Sequence, residues 1–314
     1  MEGFAPPYSM PQFDTKTKIE EKVDYRNLPC PHPYEEIHRE AYMALNPELF
    51  EGFRFDYTKS LNQKFALTHS ILMGPIELPP EAFPTPPSTA VKIPSANYQF
   101  GALFADQKST LVGNLTTEGK LHARFKYDLT DNLSIKGIGQ TLNEEKILHG
   151  NIGFDYKGSD FRGQLQLGNG LYVTANYIQH VTPKLSLGSD IAWSREHLKS
   201  AVGFGARYET DKWVASGQLN PNVGVLNYVQ KISEKISFAA DFLYTFASRD
   251  VVTSVGYDYI LRQCRIRGKV DSNGVVAAHL QEQLMVPGLS VLFSAEMDHV
   301  KEDYKFGFGL NLNV

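Results

Sequence analysis

Residues 236–246 read Ile236-Ser237-Phe238-Ala239-Ala240-Asp241-Phe242-Leu243-Tyr244-Thr245-Phe246. In an extended chain, successive side chains point to opposite faces. Ile236, Phe238, Ala240, Phe242, Tyr244 and Phe246 therefore share one face, while Asp241 stands on the other. Strands of soluble sheets usually run to about five or six residues, whereas a tilted strand of about nine to eleven crosses a bilayer. A long alternation that keeps its charge on one face predicts a membrane-crossing strand, with lipid on one side and water on the other.

The pattern recurs in both directions along the chain. Phe53, Phe55 and Tyr57 enclose Arg54 and Asp56. Leu121 to Leu129 enclose Arg124, Lys126 and Asp128, and Phe161 and Gly163 enclose Arg162. Ser189 and Ile191 flank Asp190, and Tyr257 and Tyr259 flank Asp258. Arg265, Arg267 and Lys269 alternate with Cys264, Ile266, Gly268 and Val270. Turn signals such as Gly168-Asn169-Gly170 and Asp271-Ser272-Asn273-Gly274 separate the runs. Between residues 52 and 314 there is room for about nineteen segments, at about 13 residues per strand and turn. The expected fold class is all-β, a transmembrane β-barrel of about nineteen strands, because closure leaves no unpaired edge in lipid. Aromatics near strand ends, among them Tyr127, Tyr156, Trp193, Tyr208, Trp213, Tyr244 and Tyr259, fit interfacial girdles. The competing fold is a soluble propeller or sandwich, but such folds vary strand length and cap edges with Pro or Lys.

Proline placement divides the chain. Seven prolines lie at or before Pro47, seven more between Pro75 and Pro94, and only Pro183, Pro221 and Pro287 follow. Proline cannot donate to a ladder, so residues 1–51 read as a proline-rich arm with one helix and residues 52–314 as the barrel, interrupted by a proline-rich loop at 75–94. The helix is expected from Tyr34 to about Leu45. Glu35 and Glu36 suit its first turn, and Asn46-Pro47 ends it. Ile37, Ala41 and Leu45 form its apolar stripe, which needs a larger surface to dock on.

Composition narrows the function classes. The 314 residues carry a formal charge of −4 and a mean hydropathy of −0.29. There is no apolar run long enough for a spanning helix, no block of like charge for nucleic acid, and no apolar leader of the secretory type. Synthesis in the cytosol with an internal address is the expectation. Cys30 and Cys264 are far apart and suggest two free thiols. No G-x-S-x-G elbow, phosphate loop or H-E-x-x-H occurs, and the nine histidines lack ligand spacing, so neither an enzyme nor a cofactor or metal site is expected. The lumen is then the candidate site. Its acidic lining is expected from Asp56, Asp128, Asp155, Asp190, Asp241, Asp258 and Glu296, and its basic lining from Arg124, Lys126, Arg162, Arg265, Arg267 and Lys269. Separated acidic and basic surfaces of this kind would guide a charged polymer, since rings of side-chain charge select what passes a pore.

The chain resembles the channel-forming subunit of the translocase of the outer mitochondrial membrane, the TOM complex, and most closely its green-lineage versions. The carriers are Lys22-Val23-Asp24-Tyr25-Arg26-Asn27-Leu28-Pro29, Pro33-Tyr34-Glu35-Glu36-Ile37-His38-Arg39-Glu40-Ala41, Phe50-Glu51-Gly52-Phe53-Arg54-Phe55-Asp56 and Gly205-Ala206-Arg207-Tyr208-Glu209. The last strand fits the family's sorting signal through Lys305, Gly307, Leu310 and Leu312. The resemblance implies a nineteen-stranded barrel with a short N-terminal helix inside the lumen, in the mitochondrial outer membrane with both termini on the intermembrane-space side. It further implies passage of unfolded preproteins with basic presequences. The implied partners are a central receptor subunit with one transmembrane helix, small single-helix TOM subunits, a second copy of the barrel, and membrane lipids. Strict alternation of the strands places the 75–94 loop on the side of the termini in this expectation. The arm before the helix is shorter than in fungal and animal members, which leaves chaperone docking there open. Weak acidic attraction would guide presequences, and the stripe on the inner helix would offer apolar surface to passing segments.

The nearest rival is a voltage-dependent anion channel of the same membrane, whose lumen would be predominantly basic. A soluble β-rich binding protein and an outer-membrane lipid enzyme are the rivals from other classes.

Overall fold

The computed structural model describes residues 28–78, 91–141, 148–195 and 198–314. The arm before residue 28, with most of the Lys22–Pro29 motif, lies outside the described residues. After a single 3-10 turn, Tyr34–Glu36, and a helix α1, Arg39–Leu45, every element is a strand. In chain order they are β1 Gly52–Ser60, β2 Phe65–Leu78, β3 Val91–Ala105, β4 Ser109–Thr116, β5 Leu121–Asp128, β6 Leu133–Thr141 and β7 Leu148–Lys157. There follow β8 Phe161–Gly168, β9 Tyr172–Thr182, β10 Leu185–Ser194, β11 Lys199–Glu209, β12 Trp213–Leu219 and β13 Val223–Ser233. The remainder are β14 Ile236–Thr245, β15 Asp250–Ile260, β16 Cys264–Asp271, β17 Val275–Gln283, β18 Leu289–Asp298 and β19 Asp303–Asn313.

Consecutive strands pair antiparallel, and β1 closes the sheet on β19 in parallel, from Gly52↔Gly307 to Thr58↔Asn313. The parallel seam follows from the odd strand number, since alternation makes the first and nineteenth strands run the same way. The outer face is apolar and exposed, as at Phe204 (62 %), Leu226 (60 %) and Phe306 (63 %). Among the described residues no helix is long and apolar enough to cross a membrane, so crossing falls to the strands. Barrels of about 16–18 strands already enclose an aqueous channel.

Three expectations change. The apolar helix stripe is right in position but the helix begins later, with His38 as its N-cap after the 3-10 turn. The loop expected at 75–94 does not begin at Pro75 or end at Pro94, which sit opposite each other in a continuation of β2 and β3; residues 79–90 of that expectation lie outside the described residues. That continuation outruns β1, whose pairing with β2 starts at Phe53↔Met73, and β4, whose pairing with β3 starts at Gln99↔Thr116. Among the described residues each proline therefore lies beyond the paired stretch of its outer neighbour, where a missing N–H costs no ladder bond. Finally, β2 runs away from the end where β19 stops, so Leu78 and Val91 stand opposite the C-terminal end, not beside it.

Candidate functional site: the lumen and its docked helix

The helix segment lies inside the barrel. Ala41, Ala44 and Leu45 bury against Val214, Val229 and Ala239 of β12–β14, and Tyr34 and Ile37 against Ile178 of β9. The wall is made to receive them. A Cβ on Gly188 or Gly205 would come within 2.8 Å of the Tyr34 ring, and one on Gly256 within 2.9 Å of Leu45. Glycine at these inward positions is thus a close-approach requirement.

Polar contacts hold the same segment. Arg207, 3 % exposed on β11, donates Nη1 to Glu40 Oε2 and Nη2 to Glu40 Oε1, both at 2.7 Å. It also donates to the Ile37 carbonyl at 3.0 Å and to Glu209 at 2.9 Å. Tyr34 donates its hydroxyl to Asp190 at 2.6 Å, and His38 Nδ1 lies 2.9 Å from Ser216 Oγ. Burial pushes the Glu40 carboxyl up, but the hydrogen bonds and charge of Arg207 outweigh this and hold it below the ordinary value. Burial, with the nearby Arg207 charge, pushes the His38 imidazole down. Burial and the bond to Asp190 push the Tyr34 phenol up. The segment is therefore clamped at both ends of a two-turn stretch by groups that favour neutral pH.

The strand register turns every expected lining charge towards the lumen, and most of them stand in opposite-sign pairs instead of in separate surfaces. Asp155 accepts two bonds from Arg162, at 2.7 and 2.5 Å, with Lys136 at 3.3 Å. Asp258 accepts two from Arg265, at 3.0 and 2.7 Å. Both pairs span a hairpin diagonally, a reach long side chains make easily. Asp56 takes Arg54 Nε at 2.7 Å and a short bond from Ser70, Asp128 lies 3.4 Å from Lys126, and Lys269 lies 3.1 Å from Asp271. Asp190 is occupied by Tyr34. Asp241 has no ion pair among the described residues, and its Oδ1 is buried without a hydrogen-bond partner. Glu296 stands directly opposite Lys305 in the register. Arg124 faces the lumen exposed, and Arg267 keeps a buried Nε with no hydrogen-bond partner among the described residues.

The expected role of the helix stripe is overturned. Ile37, Ala41 and Leu45 are 1 %, 3 % and 3 % exposed, spent on the wall and closed to any passing chain. The helix offers the lumen Tyr42 and Met43 instead, at 67 % and 46 %. Across the barrel, Leu72, Leu103 and Ile138 face inward at 38–42 % exposure and supply apolar surface there. Of the residues read as a sorting signal, Lys305 and Gly307 face inward while Leu310 and Leu312 face lipid. Gly307 has a packing role as well, since Phe50 crosses directly over it on the way into β1. Sequence reasoning missed Arg207, Glu40, Tyr34 and His38 as a clamp. The available signal was Gly203, Gly205 and Arg207 at alternate inward positions, which leaves space beside a cation. Among the described residues, no cluster of His, Cys, Asp or Glu is arranged to hold a metal ion.

The chain matches a family profile and curated relatives over nearly its whole length. The family profile "Eukaryotic porin" matches residues 30–307. "Probable mitochondrial import receptor subunit TOM40-2" of Arabidopsis thaliana is 63 % identical over 99 % of both chains. "Mitochondrial import receptor subunit TOM40 homolog" of Xenopus tropicalis is 27 % identical over 98 % of this chain and 92 % of its own. Among solved structures, a mutant Rh. blastica porin aligns with 71 % of this chain and 91 % of its own at a TM-score of 0.46 and 7 % identity. The nineteen-stranded barrel with its lumenal helix belongs to the eukaryotic porin family, and within it to the mitochondrial import receptor subunits of the TOM40 type.

Proposed function

We propose that this barrel is the conduit through which unfolded preproteins cross the mitochondrial outer membrane from cytosol to intermembrane space. The observation that carries the reading is the lumen wall, where most charges are held in fixed opposite-sign pairs. Such a wall is wet and mixed in sign and has no single strong well, so it suits a long chain that must keep moving, because a tight site would stall it. Asp241, Glu296 and the acidic first turn of the helix segment supply the weak attraction for basic presequences. Leu72, Leu103, Ile138, Tyr42 and Met43 supply brief contacts for apolar stretches. Partners would be a receptor subunit with one transmembrane helix, small single-helix subunits of the TOM complex, a second copy of the barrel, and lipid. The Lys305, Gly307, Leu310 and Leu312 pattern serves insertion.

Planar-bilayer recording of the purified protein tests the reading. A basic presequence peptide should cause voltage-dependent flickering block of a cation-preferring pore, and a charge-neutralised peptide should not. An anion-selective pore indifferent to both peptides would instead establish a metabolite channel.

A further inference from the structure

One cluster on the outer face is built more elaborately than lipid contact requires. Tyr156 on β7, Phe161 on β8 and Tyr177 on β9 form a row of rings with centroids 6.0 and 5.8 Å apart, and both tyrosines are nearly half exposed. At its rim, in the β7–β8 turn, Asp160 accepts Ser159 Oγ and Gln179 Nε2, each at 3.0 Å. The Tyr177 hydroxyl donates to Gln179 Oε1, also at 3.0 Å, so one glutamine ties ring and carboxylate together. The bonds from Gln179 and Ser159 hold the Asp160 carboxyl below its ordinary value. The cations of this hairpin, Lys157 and Arg162, lie on the lumen face.

Aromatic girdles need rings with polar tips but no organised anion. A carboxylate fixed at the rim of a row of three rings, where strands leave the membrane, complements a group that is both cationic and weakly hydrated. We propose that this cluster binds the ammonium of a phospholipid headgroup, choline or ethanolamine, through cation–π contact with the rings and the charge of Asp160. The molecule carries its own contrast. Tyr208, Trp213 and Tyr228 repeat the row, at 4.9 and 5.9 Å, and Tyr228 donates to Gln230 at 2.6 Å. Among the described residues no carboxylate joins Gln230.

Native mass spectrometry of the full-length protein in detergent, with phosphatidylcholine, phosphatidylethanolamine and phosphatidylglycerol of matched acyl chains, tests the site. Phosphatidylcholine and phosphatidylethanolamine should be retained about threefold over phosphatidylglycerol. Asp160→Asn and Phe161→Leu should each remove most of that preference. Asp131→Asn, which removes a turn acid at the same end of the barrel without a ring row, should not. Equal retention of the three lipids by the unaltered protein, or an Asp160→Asn protein indistinguishable from Asp131→Asn, would overturn the proposal. Circular dichroism of each variant confirms an intact barrel.

Discussion

Arg207 grips Glu40 with both prongs of its guanidinium at 2.7 Å, joining β11 to a helix 167 residues earlier in the chain. The pair converts a two-turn helix, too short to be stable alone, into a fixed part of the lumen wall. Its geometry also explains the surrounding glycines, because Tyr34 and Ile37 can only reach their places beside Arg207 if Gly188 and Gly205 carry no side chain.

Arg207→Ala should free the helix. Removing one partner of a buried ion pair costs about 3–5 kcal/mol, and the partial exposure of Glu40 lowers the expectation to about 2–3 kcal/mol. A spin label on the helix, with its distance to the wall measured by pulsed electron resonance, should broaden from one population to several. An unchanged distance would remove Arg207 from the clamp.

Acidification should loosen the helix in two stages. His38 has a folded value below its ordinary one, so the undocked state binds its proton more readily and docking weakens as pH falls below about 6.5. Glu40 is also depressed, so its contribution is present above the ordinary carboxylate value and is lost as pH falls below about 4.3. The same label distance followed against pH should show both stages, and His38→Gln should abolish the upper one alone.

Gly205→Val should displace the helix without altering the lipid face, since the new side chain would meet the Tyr34 ring and Ile37. Overpacking of this kind costs about 1–3 kcal/mol. Protease cleavage within residues 34–46 should accelerate while the barrel retains its β-signal in circular dichroism.

Lumen acids should divide into two groups. Asp155→Asn strands Arg162 and Lys136 without their anion, so it should lower thermal stability and shift the pore towards anions. Asp241→Asn removes an acid with no ion pair among the described residues, so stability should hold and only the affinity for a basic peptide should fall. If both variants behaved alike in melting and in peptide block, pairing would not govern the lining.

Sequence alone determined that membrane-length strands recur about nineteen times and which face the side chains of the alternating runs take, because period-two alternation is a local property read residue by residue. Asp241, Arg265 and Phe306 all point where alternation sent them. Tertiary structure decided what the inward groups do. Whether Asp155 is free or clamped depends on a diagonal partner across a turn, whether Ile37 meets cargo or wall depends on how the helix rolls, and whether Pro75 can sit in a strand depends on where β1 begins. Each is a relation between segments brought together only when the sheet closes, and none leaves a periodic trace in the chain.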